Sequence, residues 1–442
     1  MKIAMIGSGY VGLVSGACFA HFGHDVVCVD KDPAKITDLQ HGRIPIFEPG
    51  LDTLVAENVR AGRLTFTTSL SESVPVADAV FIAVGTPTRR GDGHADLSFV
   101  YAAAAEIGAA LRGYSAVVTK STVPVGTGRE VARIIRAAQP AAQFDVVSNP
   151  EFLREGAAIE DFMKPDRVVI GVESKRAQEV MTAIYRPLNL IQTPMVFTNI
   201  ETAEVTKYAS NAFLATKVTF INEIANLCEK VGADVHDVAR AIGLDGRIGR
   251  KFLHPGPGFG GSCFPKDTRA LVQTGREVGA PQSIVEQVIA VNDARKLSMA
   301  ARVIDLCGGS VSGLQIGVLG LTFKPDTDDM RDAPSLDIVR ALQAAGGRVT
   351  AFDPQGMKEA ARRLTDVRFV DTAYDAALSA DVLVIITEWH EFRGLDLRRL
   401  KALMRHPRVA DLRNVFDSHD MERLGFDYTS VGRPVVKALR TS

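Results

Sequence analysis

The residue best suited to covalent chemistry is Cys263, in the stretch Gly258-Phe259-Gly260-Gly261-Ser262-Cys263-Phe264-Pro265-Lys266-Asp267. Consecutive glycines let backbone approach a ligand, and a thiol on a loop is easier to reach than one in a core. It becomes a nucleophile only as a thiolate, which needs a nearby cation or a helix N-terminus; Lys266 or a distant lysine could be that cation. Cys18, Cys28, Cys228 and Cys307 fall on helical or strand stretches and read as small core residues. Lys207 and Asn211 stand four apart in a helical stretch, hence on one face. Such a pair is often merely solvated, but Ala203, Ala209, Ala212 and Ala215 allow close packing around that turn. In a cleft, an ammonium and an amide hold a hydroxyl and later an oxyanion. Glu151 and Glu155, four apart in residues 149–156, follow a strand end, where open α/β sheets bind ligands. A capped helix start with exposed acids would carry the same residues.

Two further constellations concern phosphates. Gly7-x-Gly9-x-x-Gly12, with Tyr10 and Val11 inside it, follows the apolar run 2–6 and opens a helix reaching about Phe22. Asp30 ends the next apolar run, 18 residues after Gly12. The glycines permit a tight turn and close approach to a pyrophosphate at the helix N-terminus. Asp30 would accept hydrogen bonds from the adenosine ribose and repel a 2′-phosphate, favouring NAD over NADP, and Lys35 lies one turn further. Near the other end, residues 323–331 follow a strand and offer Lys324 and Arg331, and Arg413 follows the last strand. Taken singly these are surface charges; together they suit a second phosphate-bearing ligand.

The elements that must position these residues alternate. Strands are expected at 2–6, 25–30, 79–84, 116–119, 145–148 and 168–172, with helices such as 98–112 and 127–138 among them, which predicts a parallel, doubly wound sheet. Residues 201–230 hold no Gly or Pro and predict one long helix stopped by Gly232. Helix continues to about Cys307, broken by a Gly/Pro loop at 254–263. A second α/β unit then starts, with strands at 315–319, 348–352, 381–387 and 408–411 and a helix at 335–345. The fold class is therefore α/β: two Rossmann-like doubly wound domains, 1–199 and 308–442, joined by a helical region, 200–307, that carries the Cys263 loop.

Composition agrees. The 442 residues are 46% hydrophobic and 23% charged, which excludes disorder and suits two to three domains of about 150 residues each. Lys+Arg 51 against Asp+Glu 52 leaves a net charge of −1, so nothing electrostatic argues for nucleic acid or an anionic membrane as partner. Five cysteines without regular spacing make no disulfide framework, no Cys/His cluster points to a metal, and a reduced cytoplasmic setting follows. Lys2 and the apolar residues after it resemble a signal peptide, but Gly7, Gly9, Gly12 and Gly16 interrupt them. There is no run of about 18 apolar residues to span a membrane.

These residues, together with Ser121-Thr122-Val123-Pro124-Val125-Gly126-Thr127, resemble the UDP-glucose/GDP-mannose dehydrogenase family over essentially the whole chain. Residues 165–171 look more like its UDP-glucose branch. The resemblance implies a four-electron oxidation: UDP-glucose, two NAD⁺ and water give UDP-glucuronate and two NADH, supplying glucuronate for polysaccharide or lipid modification. It implies Cys263 as nucleophile, through a thiohemiacetal and a thioester. Lys207 and Asn211 would stabilise the oxyanion, Asp267 and Thr122 would position water or relay a proton, and Glu151 would partner the C6 hydroxyl or the water. Thr86, Thr122, Glu155, Lys266 and Arg331 would join the glycine loop, Asp30 and Lys35 on the cofactor. Lys324 and Arg413 would hold UDP, with Phe152, Leu153, Phe252, Leu253, Phe259 and Gly260 along the substrate. Arg247 would reach a neighbouring subunit's site, and the long helix would form the core of a homodimer or larger homo-oligomer. Phe259 stands where many relatives have Tyr, which removes a hydroxyl near the phosphates. The rivals are a sibling enzyme for GDP-mannose or a UDP-N-acetylhexosamine, a two-electron 3-hydroxyacid dehydrogenase, and a nucleotide-sugar-binding protein without catalysis. The Cys263 loop and the second α/β domain count against the 3-hydroxyacid enzyme.

Overall fold

Short apolar runs closed by Gly, Asp or Pro become strands. In the computed structural model, which describes residues 1–87, 89 and 94–437, they build two sheets. The chain divides into two compact units, Met1–Ser210 with Gln273–Ala280 and Asn211–Val272 with Pro281–Ser442.

The first unit holds β1 (Lys2–Ile6), β2 (Asp25–Val29), β3 (Leu64–Thr67), β4 (Ala79–Ile82), β5 (Ser115–Thr119), β6 (Phe144–Ser148), β7 (Val168–Gly171) and β8 (Met195–Thr198). Their order is β3-β2-β1-β4-β5-β6-β7-β8, so the winding reverses between β1 and β4. Successive residues of β1 feed separate cores: Ile3 and Met5 pack with Phe19 and Phe81, whereas Ala4 and Ile6 pack with Val80 and Ile82. The sheet departs from an all-parallel expectation at one place. β7 meets β6 antiparallel, through Ser148 and Gly171. An antiparallel β7 starts at the edge where β6 ends, so the connection 149–167, with Glu151 in it, stays at the carboxyl edge of the sheet.

The second unit holds β9 (Gln315–Leu319), β10 (Arg348–Phe352), β11 (Val367–Phe369), β12 (Val382–Ile385), β13 (Arg408–Asp411) and β14 (Asp427–Ser430). Their order, β11-β10-β9-β12-β13-β14, repeats that of the first six strands of the other sheet, and every pair is parallel. Its switch point lies between β9 and β12, again at carboxyl ends, where α/β sheets take ligands. The long helix Ile200–Val231 begins in the first unit and continues in the second. Ala203, Ala212 and Ala215 are buried on it, as small side chains allow. β3, β8, β11 and β14 were not among the expected strands; they have three or four residues each and mix polar with apolar side chains.

Candidate functional site

In the first unit the glycine turn joins β1 to the helix Tyr10–His21. Gly7 has φ +102°, and a Cβ there would lie 2.7 Å from Ala83 O. A Cβ on Gly12 would lie 1.8 Å from Gly7 O, so only glycine lets the helix start this close to the strand. A Cβ on Gly9, by contrast, would meet nothing within 4 Å. Open space thus stands over the extended residue that precedes the helix, whose first N–H groups and dipole favour an anion. Residues 12–20 of that helix are buried, which fixes its aim. These features fit the pyrophosphate of a dinucleotide.

Asp30 follows β2 and accepts from Ser8 N (2.9 Å), Asp32 N (3.1 Å) and Lys35 Nζ (2.8 Å). Burial works against its charge, but the Lys35 ammonium and the two amides prevail and hold its carboxyl below the usual range. It is therefore an anion beside the turn, suited to ribose hydroxyls. Thr86 Oγ1 donates to Thr122 O (3.0 Å), tying together the loops that leave β4 and β5. Tyr10 Oη donates to Glu48, whose carboxylate also accepts from Gly156 N (2.6 Å) and Ala158 N (2.7 Å). Glu48, which no sequence motif marked, thus pins residues 149–156 to the helix that carries Tyr10 and Val11. Burial and the Glu48 and Glu155 charges push the Tyr10 phenol upward, so it remains a neutral donor.

Glu151 and Lys207 form an ion pair at 3.1 Å, with side chains 6% and 3% exposed. Glu151 Oε2 also accepts from Leu153 N (2.5 Å), and Lys207 Nζ lies 5.2 Å from the centre of the Phe152 ring, on which Arg167 stacks at 3.7 Å. One turn earlier on the long helix, Glu204 accepts from Gly126 N (2.7 Å) and Gly128 N (2.8 Å). That bond fastens the segment after Thr122 to the helix bearing Lys207. Burial pushes the Glu204 carboxyl up to about 7 despite those donors.

In the second unit Asn211 Nδ2 donates to Asp267 Oδ2 (2.6 Å), and Lys266 Nζ pairs with Asp267 Oδ1 (2.6 Å). Asp267 is 1% exposed, and its N–H donates to Cys263 O (2.8 Å). Cys263 therefore sits at the start of the 14-residue helix Phe264–Glu277, half-buried, its Sγ 3.6 Å from Ser262 Oγ. That position at a helix N-terminus favours a thiolate, and Lys266 pairs with Asp267. Cys18, Cys28 and Cys228 are buried, and Cys307 is half-buried, its thiol pushed up by burial.

The Cys263 loop is built against residues 323–332 of the same unit. Gly261 N donates to Arg331 O (2.8 Å), and a Cβ at Gly260 would lie 2.3 Å from Asp332 O. Asn292, another unmarked residue, clamps Phe259 by accepting its N–H (2.8 Å) and donating to its carbonyl (3.1 Å). Phe259 itself is buried edge-on to Phe264, so backbone is what it can present; Leu253 is buried too, and Phe252 holds φ +65°. At the switch point Arg413 donates to Ile386 O (2.9 Å) and Phe323 O (3.0 Å), bridging the loops after β12 and β9, with Glu388 at 3.1 Å. Lys324 Nζ lies 5.5 Å from the Phe323 ring. Asp353, after β10, accepts from Leu321 N (2.6 Å), Thr322 N (3.1 Å) and Trp389 Nε1 (3.1 Å). It thus stands after β10 as Asp30 stands after β2, where Asp30 accepts from Ser8 N. Arg331 pairs with Asp329 (2.8 Å) and is half-exposed; Arg247 is 90% exposed and paired with Asp245 (2.5 Å). Among the described residues no cluster of His, Cys, Asp or Glu could hold a metal, and no helix is long and apolar enough to cross a membrane.

Comparison with known proteins agrees with this layout. Residues 1–189 match the NAD-binding domain, 201–294 the central domain and 317–418 the UDP-binding domain of the UDP-glucose/GDP-mannose dehydrogenase family. The chain is 64% identical to the UDP-glucose 6-dehydrogenase of Rhizobium meliloti (strain 1021), over 98% of its own length and all of the relative's. It is 49% identical to UDP-glucose 6-dehydrogenase TuaD of Bacillus subtilis (strain 168), over 100% and 95%. Among solved structures, a UDP-glucose dehydrogenase from the hyperthermophilic archaeon Pyrobaculum islandicum shares 40% identity and superposes with TM-score 0.88, covering 95% of each chain.

Proposed function

The chain belongs to the UDP-glucose/GDP-mannose dehydrogenase family, as an NAD-dependent oxidoreductase, and from that premise we propose that it oxidises C6 of UDP-glucose to the carboxylate of UDP-glucuronate. The observation that carries the covalent part is a half-buried Cys263 at a helix N-terminus, in a loop packed against the segment that bears Lys324 and Arg331. NAD⁺ supplies the hydride acceptor for each two-electron stage, and it would be held by the Gly7–Gly12 turn, Asp30, Lys35, Thr86 and Thr122, with Glu155, Lys266 and Arg331 as further contacts.

The chain's own residues have distinct tasks. Lys324 and Arg413 bind the diphosphate, and backbone of Phe152, Leu153, Phe259 and Gly260, with Phe252 and Leu253 beside them, orients the sugar. Glu151 takes the proton of the C6 hydroxyl, and Lys207 and Asn211 stabilise the oxyanion as it develops. The Cys263 thiolate adds to the C6 aldehyde, which forms a C–S bond and prevents release. The resulting thiohemiacetal carbon still bears a hydrogen, so a second oxidation leaves a thioester. Asp267 and Thr122 position the water that hydrolyses it, releasing the carboxylate and the thiol.

Three chain segments divide the labour in this reading: 1–199 for NAD, 200–307 for the thiol loop and assembly, 308–442 for the UDP-sugar. Phe213, Phe220 and Leu227, seven residues apart on the long helix, are 66%, 50% and 55% exposed, which supports pairing of two copies along that helix, with Arg247 of one copy serving the other. Cysteines that are all unbridged fit a reducing cytoplasm, and the net charge of −1 fits small-molecule partners over nucleic acid or a membrane surface.

A substrate panel tests this reading. Initial NADH formation is expected with UDP-glucose and at least about 10²-fold less, as kcat/KM, with GDP-mannose or UDP-N-acetylmannosamine. Preference for either of the latter would keep the chemistry and replace the substrate, and binding of UDP-glucose without NADH would point to a protein that has lost catalysis.

A further inference from the structure

Lys120 is a buried cation with no task in the chemistry above. It follows β5 directly and precedes Ser121-Thr122. It is 4% exposed, and its Nζ donates to Asn149 Oδ1 (3.1 Å) and Tyr185 Oη (3.1 Å), while Tyr185 Oη donates to the same Asn149 Oδ1 (2.6 Å). Asn149 Nδ2 donates to Val169 O (2.8 Å), which completes the corner. The rings of Phe162 and Tyr185 stand 5.7 and 5.8 Å from Nζ. Among the described residues Lys120 makes no ion pair. A buried ammonium without one is costly, and a group needed only to fill space would be better as Met.

The titratable groups that face it come from four elements. They are Glu151 after β6, Lys207 on the long helix, Cys18 on the helix Tyr10–His21, and Tyr185 on the helix Lys175–Tyr185. Burial pushes Lys120 down to about 8; the Glu151 carboxylate raises it, the Lys207 ammonium lowers it and Cys18 raises it slightly. Burial pushes the Tyr185 phenol far up, so it stays neutral.

The geometry points to Lys120 as a positioning residue for the oxidation: its ammonium fixes Asn149, from which the Glu151 turn departs, and adds a second positive charge to that of Lys207 beside the Glu151 carboxylate. This rests on the reading of Glu151 as the acid/base group. Two consequences follow. The rate should depend on Lys120 being charged and fall as pH rises through about 8. Substrate and cofactor affinity should be untouched, since Lys120 is buried and its contacts are with Asn149, Tyr185 and Phe162.

The test is the pH dependence of kcat from 6.5 to 10, with KM for UDP-glucose and NAD, in wild type, Lys120→Met, Tyr185→Phe and Glu151→Gln. Lys120→Met is expected to lower kcat at pH 7 by about 10- to 100-fold with both KM values unchanged, and to flatten the limb near pH 8. Tyr185→Phe keeps the buried ring but removes an acceptor for the charged amine, so its limb should move to lower pH. It decides the matter if Lys120→Met does not fold. Glu151→Gln should lose activity at every pH. A Lys120→Met rate that falls with its alkaline limb in place, or a Tyr185→Phe limb that does not move, would make Lys120 structural and overturn the proposal. An active Glu151→Gln would remove the acid/base reading itself, a failure distinguishable because it appears in that variant alone.

Discussion

Cys263→Ser is expected to cut NADH formation by about 10³-fold or more while leaving the Kd of NAD and of UDP-glucose largely unchanged. Ser is close to Cys in size, and Cys263 sits on a loop whose shape is set by Gly261 on Arg331 O and by Asn292 on Phe259, none of which involves the sulfur. The variant should therefore fold and bind. What it loses is the anion. A helix N-terminus is worth about 0.3–1 kcal/mol to a negative charge, enough to help a thiolate form near neutral pH and far too little for an alkoxide. Without capture, the first oxidation yields an aldehyde that nothing holds. Calorimetric titration beside steady-state turnover checks both halves, and wild-type turnover in the variant would contradict the covalent route.

The second large effect is expected from Lys207→Met. Its partner Glu151 is buried at 3.1 Å, and removing one member of such a pair leaves a buried charge uncompensated, which costs about 3–5 kcal/mol. The variant should unfold at a markedly lower temperature or denaturant midpoint. Activity should fall by about 10²–10³-fold if Lys207 is a donor to the oxyanion, as proposed. The double variant Lys207→Met/Glu151→Gln separates the two effects. With the isolated charge removed, much of the stability should return and none of the activity, a coupling that a double-mutant cycle reads directly. Recovery of both, or of neither, would contradict the assignment of Lys207 to the chemistry.

Local features of the chain are legible in its sequence, and long-range ones are not. The Gly7–Gly12 turn and Asp30 were readable because their reasons are local: φ +102° at Gly7, a helix start too close for a Cβ at Gly12, a carboxylate at a strand end. The long helix was readable to within a residue at each end because 30 residues without Gly or Pro leave few other options. β3, β8, β11 and β14 were not, since LTFT, MVFT, VRF and DYTS are too short and mixed to show a period. The reversal of β7 is a tertiary choice with no local signature. Within the site, motifs named Glu151, Lys207, Asn211 and Asp267, but only the fold shows that Glu151 pairs with Lys207 and Asp267 with Asn211 and Lys266. Glu48, Lys120, Glu204 and Asn292 carry no sequence signal, because a single polar residue beside a strand or on a helix reads as surface. Burial is what marks them, and it appears only after folding.

The sugar carbon is expected to pass through both oxidations without release of the aldehyde. The most direct measurement is the NADH formed at completion from a limiting, known amount of UDP-glucose with NAD⁺ in excess. Two NADH are expected for each UDP-glucose consumed, with UDP-glucuronate as the product. One NADH for each, with free UDP-sugar aldehyde in solution, would contradict it.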